Sequence, residues 1–147
     1  MTPSVERDER VDPSLEVTTF PRGGRALIAD DSPTVRRLLH KYLERKYELI
    51  VEAEDGQAAI RSVFHARRKA EPFDQILLDM HMPIVDGCEA AQRIRKVGYT
   101  GPLVAITGDD SLEDHQSALA AGCDVVLTKP VGWPELLATI QSLTVGK

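Results

Sequence analysis

The 147 residues are enough for one sizeable core and too few for two ordinary domains joined by a linker. A hydrophobic fraction of 42%, a charged fraction of 28% and a formal net charge of -5 describe a soluble globular chain and argue against an electrostatic grip on nucleic acid. No apolar run reaches the roughly 20 residues of a membrane span, and the N-terminus lacks the apolar centre of a secretory signal, which predicts a cytoplasmic protein with no membrane partner.

Residues 1–24 mix charge with Pro, Ser and Thr, close on Gly23 and Gly24, and carry no sustained helical or strand period, so they read as a flexible N-terminal extension. Over residues 25–147 short β-branched runs alternate with longer amphipathic ones, the pattern of a parallel sheet with crossover helices. The first strand runs from Arg25 to Ala29, and after Asp30 and Asp31 the pair Ser32 and Pro33 opens a helix with Val35, Leu38, Leu39, Tyr42 and Leu43 on one face. A second strand over Glu48 to Glu52 turns at Asp55 and Gly56 into a helix marked by Ala59, Ile60, Val63 and Phe64. The third strand, Gln75 to Leu78, leads into LLDMHMP and a helix from Gly87 to Val97. A fourth strand over Leu103 to Ile106 precedes a helix from Leu112 to Ala121 closed by Gly122. The fifth, Val125 to Leu127, precedes a helix from Trp133 to Leu143 with Pro134 in its first turn. The fold class is α/β, a five-stranded parallel sheet, doubly wound.

The sequence contains neither a P-loop nor a spaced three-glycine dinucleotide fingerprint, so nucleotide and flavin binding have little support. Cys88 and Cys123 have no metal-ligand spacing and read as small, half-buried thiols rather than a disulfide or a zinc site. Chemistry collects instead at the carboxyl ends of the strands, where an open parallel sheet gathers its loops. Asp30 and Asp31 follow the first strand, Asp79 the third, Thr107 and Gly108 the fourth, and Lys129 and Pro130 the fifth. Three carboxylates crowded together favour a hard divalent cation such as magnesium. A phosphoryl group brought to that cation needs an ammonium and hydrogen-bond donors for its remaining oxygens, and Lys129 and Thr107 supply them. Asp79, alone at the middle strand, is the natural nucleophile, with Asp30 and Asp31 as the metal cradle. The product is an aspartyl phosphate.

With those residues in place, the chain from about Gly24 to Leu143 closely resembles the receiver domain of two-component response regulators. The resemblance rests on Asp30 and Asp31; on Asp79 followed by Met82, Pro83, Asp86 and Gly87; on Thr107 with Gly108; and on Lys129 with Pro130. It implies a flavodoxin-like receiver fold in which Asp79 accepts phosphate from a histidine kinase or histidine phosphotransfer protein. It also implies that Asp31, Asp79 and the backbone carbonyl of His81 ligate Mg2+, with Asp30 assisting through water. Lys129 then pairs with the phosphoryl group, Thr107 swings in to hydrogen-bond it, and the Lys129–Pro130 bond is cis. The wording MHMPIVDG and GYTGPLVAITG is similar to receivers attached to hybrid sensor kinases, which suggests a phosphorelay. On this reading the chain is no enzyme of its own but a phosphoacceptor that assists its own phosphorylation and dephosphorylation. Its output passes to a downstream protein target, and the first helix offers Val35 and Leu38 as a docking face for the donor.

The chain departs from the pattern three residues before Lys129, where receivers usually carry an aromatic switch partner and this sequence has Val126. That predicts a signal routed through loop movement and Thr107. No effector domain follows the last helix, so the expectation is a receiver that acts alone or as one piece of a longer protein. Two other readings differ in class. A phosphohydrolase working through an aspartyl phosphate would want an Asp two residues after the nucleophile, where His81 stands, and a degenerate receiver would act only as a binding module.

Overall fold

A computed structural model of the chain describes residues 23–145, so the N-terminal stretch up to Arg22 lies outside the described residues. Among the described residues five strands and five helices alternate: β1 (Arg25–Ala29), α1 (Pro33–Leu43), β2 (Leu49–Ala53), α2 (Gly56–Arg68), β3 (Gln75–Asp79), α3 (Gly87–Lys96), β4 (Leu103–Thr107), α4 (Leu112–Ala120), β5 (Val125–Thr128) and α5 (Trp133–Val145). The strands form one parallel sheet in the order β2-β1-β3-β4-β5. Parallel neighbours need long crossovers, and the helices provide them on both faces.

Side chains alternate across the sheet and divide the core in two. Ala26, Ile28, Leu77, Val104 and Ile106 pack with Leu39 and Leu43 of α1 and Leu136, Leu137 and Ile140 of α5. Leu27, Ile76, Leu78, Leu103 and Ala105 face the other way, onto Ala59 and Val63 of α2, Ala90, Ala91 and Ile94 of α3, and Ala118 of α4. Trp133, at the start of α5, lies in the first half, 5.9 Å from the Tyr42 ring and with the Arg45 guanidinium 5.2 Å from its own ring centre.

Four helices open on a side-chain cap. Ser32, Asp55, Asp86 and Ser111 each accept a hydrogen bond from the N–H three residues on, satisfying a donor that the first turn leaves without a partner. Gly122 follows the end of α4 with φ +117°, as a left-handed helix exit requires. Of the apolar faces read from sequence, Leu39, Leu43, Ala59 and Val63 are buried, whereas Leu38 and Phe64 are exposed. The sheet covers a narrower stripe of α1 and α2 than the apolar pattern marks out.

Candidate functional site

The site is assembled by the ladder itself. Asp30 N–H donates to the Ala53 carbonyl, Met80 N–H to Ile106 and Lys129 N–H to Thr107, at 3.1, 3.0 and 2.7 Å, so pairing continues past the strand ends into the loops that carry the polar groups. Asp79 pairs in register with Ile106, and Thr107 with Thr128. The glycine opening α3 lets the next loop fold close: a Cβ on Gly87 would meet the Asp79 carbonyl oxygen at 2.5 Å and strike Met80 Cα.

Asp30, Asp31 and Asp79 bring one carboxylate oxygen each to within 4.8 Å of one another, with Asp30 and Asp79 buried and Asp31 exposed at the mouth. Lys129 Nζ lies 3.0 Å from Asp30 Oδ2 and 3.6 Å from Asp79 Oδ1. Asp30 Oδ1 accepts the Ser32 N–H at 2.8 Å, and Asp79 Oδ1 accepts the His81 N–H at 3.1 Å. Three acids therefore face one ammonium. Burial pushes the Asp79 carboxyl up to about 6; the His81 N–H opposes the shift, Asp30 and Asp31 add to it, and Lys129 offsets part of it. For Lys129 burial disfavours the charge, but its contacts with Asp30 and Asp79 outweigh burial and hold the ammonium above its ordinary value.

Every residue that the sequence nominates lies at this sheet edge, though one is turned elsewhere. Thr107 is fully buried, and its hydroxyl donates to Asp114 Oδ2 at 2.8 Å while accepting the Asp109 N–H at 3.0 Å. His81 follows Asp79 with its side chain 60% exposed and Nε2 3.7 Å from Asp114 Oδ1. The Lys129–Pro130 peptide is cis. Val126 is half-buried against the α2–α3–α4 half of the core. Beside the site, Val35, Leu38, Leu39, Ile106, Lys129 and Pro130 line a groove of about 330 Å³.

Two contributors escape a reading of the sequence. Arg36 sends one guanidinium nitrogen to the Asp30 carbonyl oxygen at 2.6 Å and another to Glu52 at 3.1 Å, pinning the acidic loop to β2. Glu52 also meets His40 Nδ1 at 2.8 Å. Asp114 is the other, and the spacing Ser111-x-x-Asp114 does mark it as a first-turn acid, though not as the partner of Thr107.

The chemistry of this donor set fits a divalent cation. The oxygens are hard, they converge, and their negative charge exceeds what Lys129 neutralises.

Comparison with known proteins agrees with the geometry. A family model described as the response regulator receiver domain matches residues 26–141. Over 123 residues the chain is 40% identical to a protein-glutamate methylesterase/protein-glutamine glutaminase of Hahella chejuensis, a match that covers 80% of this chain and 34% of that relative. The chain thus spans about a third of that relative's length. Among solved structures, the receiver domain of sensor histidine kinase PA1611 from Pseudomonas aeruginosa, with magnesium in its active site cleft, superposes with a TM-score of 0.73 at 29% identity, covering 85% of this chain and 99% of that one. The receiver domain of the histidine kinase CKI1 from Arabidopsis thaliana, complexed with Mg2+ and BeF3-, gives a TM-score of 0.71 at 29% identity, covering 82% and 91%. Fold, site and sequence lead to one conclusion: the chain belongs to the response regulator receiver domain family.

Proposed function

We propose that this receiver is a phosphorylation-dependent switch whose acceptor is Asp79. The observation that carries the reading is the buried Asp79 carboxylate at the end of the central strand, with Lys129 3.6 Å away and two further acids beside it. One oxygen of Asp79 attacks phosphorus, and the bond to the donor breaks with its electron pair leaving on the donor; for a phosphohistidine that is the imidazole nitrogen. Lys129 balances charge on the transferred group, and Thr107 is the hydroxyl that turns to it. Asp31, Asp79 and the His81 carbonyl would hold magnesium, with Asp30 assisting through water, and the ion when bound would supply positive charge for the phosphoryl oxygens.

The donor is a histidine kinase or histidine phosphotransfer protein, docking against the groove that exposes Leu38 beside Lys129 and Pro130. Output passes by protein contacts to a downstream target in the cytoplasm. The test is incubation with acetyl phosphate and Mg2+, followed by intact mass. The wild type gains one phosphoryl group and Asp79→Asn gains none; equal labelling of both, or of neither, rejects Asp79 as acceptor.

A further inference from the structure

A threonine hydroxyl has one proton to give, and in this chain Thr107 has already given it. Its Oγ1 donates to Asp114 Oδ2 at 2.8 Å and is approached from the other side by the Asp109 N–H at 3.0 Å. Thr107 has no exposed surface, so water cannot replace that acceptor when the bond breaks. To donate toward a group on Asp79, the hydroxyl must leave Asp114.

The first turn of α4 is built so that Asp114 is available for this. An acid three residues after a serine cap ordinarily turns back to the serine N–H, closing a capping box. Here Asp109 takes the Ser111 N–H at 2.9 Å, and Ser111 Oγ accepts the Asp114 N–H at 3.1 Å. With its reciprocal role filled by Asp109, the Asp114 carboxylate points to Thr107. Its second oxygen lies 3.7 Å from His81 Nε2, on the loop that follows Asp79. One carboxylate therefore touches the end of β4 and the rim of the acceptor loop, and it belongs to the opening turn of a third element.

We propose that Asp114 is a positioning residue that holds the Thr107 hydroxyl away from the acceptor until a phosphoryl group outcompetes it, and that its release carries the signal to the first turn of α4. The proposal rests on the reading of Asp79 as acceptor. The hydroxyl has two alternative anionic acceptors, so the free energy of the Asp114 bond is subtracted from the affinity for the phosphoryl group. It also gives a chain with Val126 in place of a switch aromatic a route to a surface that includes the exposed Leu112.

The test uses beryllofluoride with Mg2+ as a non-covalent phosphoryl mimic, with binding and amide shifts read by NMR. Asp114→Ala binds it about tenfold tighter than the wild type, the scale of one hydrogen bond to a charged group. Asp114→Asn keeps shape and a weaker acceptor, stands between the two, and serves if the alanine variant is poorly folded. Without ligand, the amides of Asp109 and Leu112 to His115 in Asp114→Ala already lie toward the positions that the wild type reaches with beryllofluoride. In a Thr107→Val background, Asp114→Ala leaves the affinity unchanged. Wild-type affinity in both Asp114 variants, or the same gain with and without the Thr107 hydroxyl, overturns the proposal. If the wild type itself binds no beryllofluoride, the acceptor reading fails and the proposal falls with it.

Discussion

Asp79 is buried beside two other carboxylates with one ammonium to offset them, and burial is the main cause of its rise from an ordinary 3.8 to about 6. In metal-free protein the native carboxyl keeps its proton at pH values where the unfolded chain has lost it. Stability from this group is therefore fullest below about pH 4 and is lost as pH rises through about 6. With allowance for solvent at the mouth of the site, the loss is about 2 kcal/mol. Asp79→Asn removes it, so without divalent cations the variant is more stable than the wild type at pH 7 by about 2 kcal/mol, and the gap closes toward pH 4. Urea unfolding of the pair at pH 4, 5, 6 and 7 checks this; a constant gap would refute it. A second residue is out of place on local grounds. Ile84, in the loop after Asp79, has φ +71° and is 73% exposed, a left-handed conformation that a β-branched side chain adopts only under strain. Ile84→Asn raises stability by about 1 kcal/mol, because asparagine tolerates that region and no buried contact is lost. Thermal unfolding that shows no gain would mean the Ile84 side chain contributes packing beyond its exposure.

At the scale of elements the sequence was legible almost to the residue. All five strands and five helices occur where hydrophobic period and cap signals put them, with ends differing by a residue or two. The differences have one physical cause. The predicted strands β3, β4 and β5 stop at the last apolar residue, whereas the ladder runs one residue further, onto Asp79, Thr107 and Thr128, because pairing depends on backbone groups and not on side-chain polarity. β2 runs from Leu49 to Ala53, one residue later than its apolar pattern suggests, in register with Arg25 to Ala29. What could not be read were contacts that tertiary placement creates: Arg36 reaching the Asp30 carbonyl, and Asp114 turned to Thr107. Neither spacing nor composition says where a long guanidinium ends or which of two hydrogen bonds a first-turn acid makes. The β3–α3 junction shows the opposite case, a motif residue with a plain steric reason. A Cβ on Gly87 would press on the Asp79 carbonyl and Met80, so Gly87→Ala costs about 2 kcal/mol despite the better helix propensity of alanine. Chemical denaturation measures it, and a neutral result would show that the loop yields.

For the molecule as a whole, strand order brings β1, β3 and β5 groups to one edge, so the acids of two central strands and the lysine of an outer one meet only in the folded chain. A cation that binds there binds the native state alone, and mass action then raises stability. Magnesium at a hundredfold excess over its dissociation constant raises unfolding free energy by about 2.7 kcal/mol, and Asp31→Asn, which changes an exposed carboxylate and no core contact, loses most of that gain. Melting curves with and without the ion decide it; an equal gain in the variant would remove Asp31 from the cradle. The sheet also keeps its two hydrophobic halves apart, and the single indole of the chain packs beside Tyr42 and Arg45 in the half roofed by α1 and α5. Its fluorescence is accordingly a natural gauge of that half as the chain melts. α4 packs on the opposite half, through Ala118, so a switching event confined to its opening turn leaves the emission spectrum unchanged, and light alone would record a working receiver as an inert one.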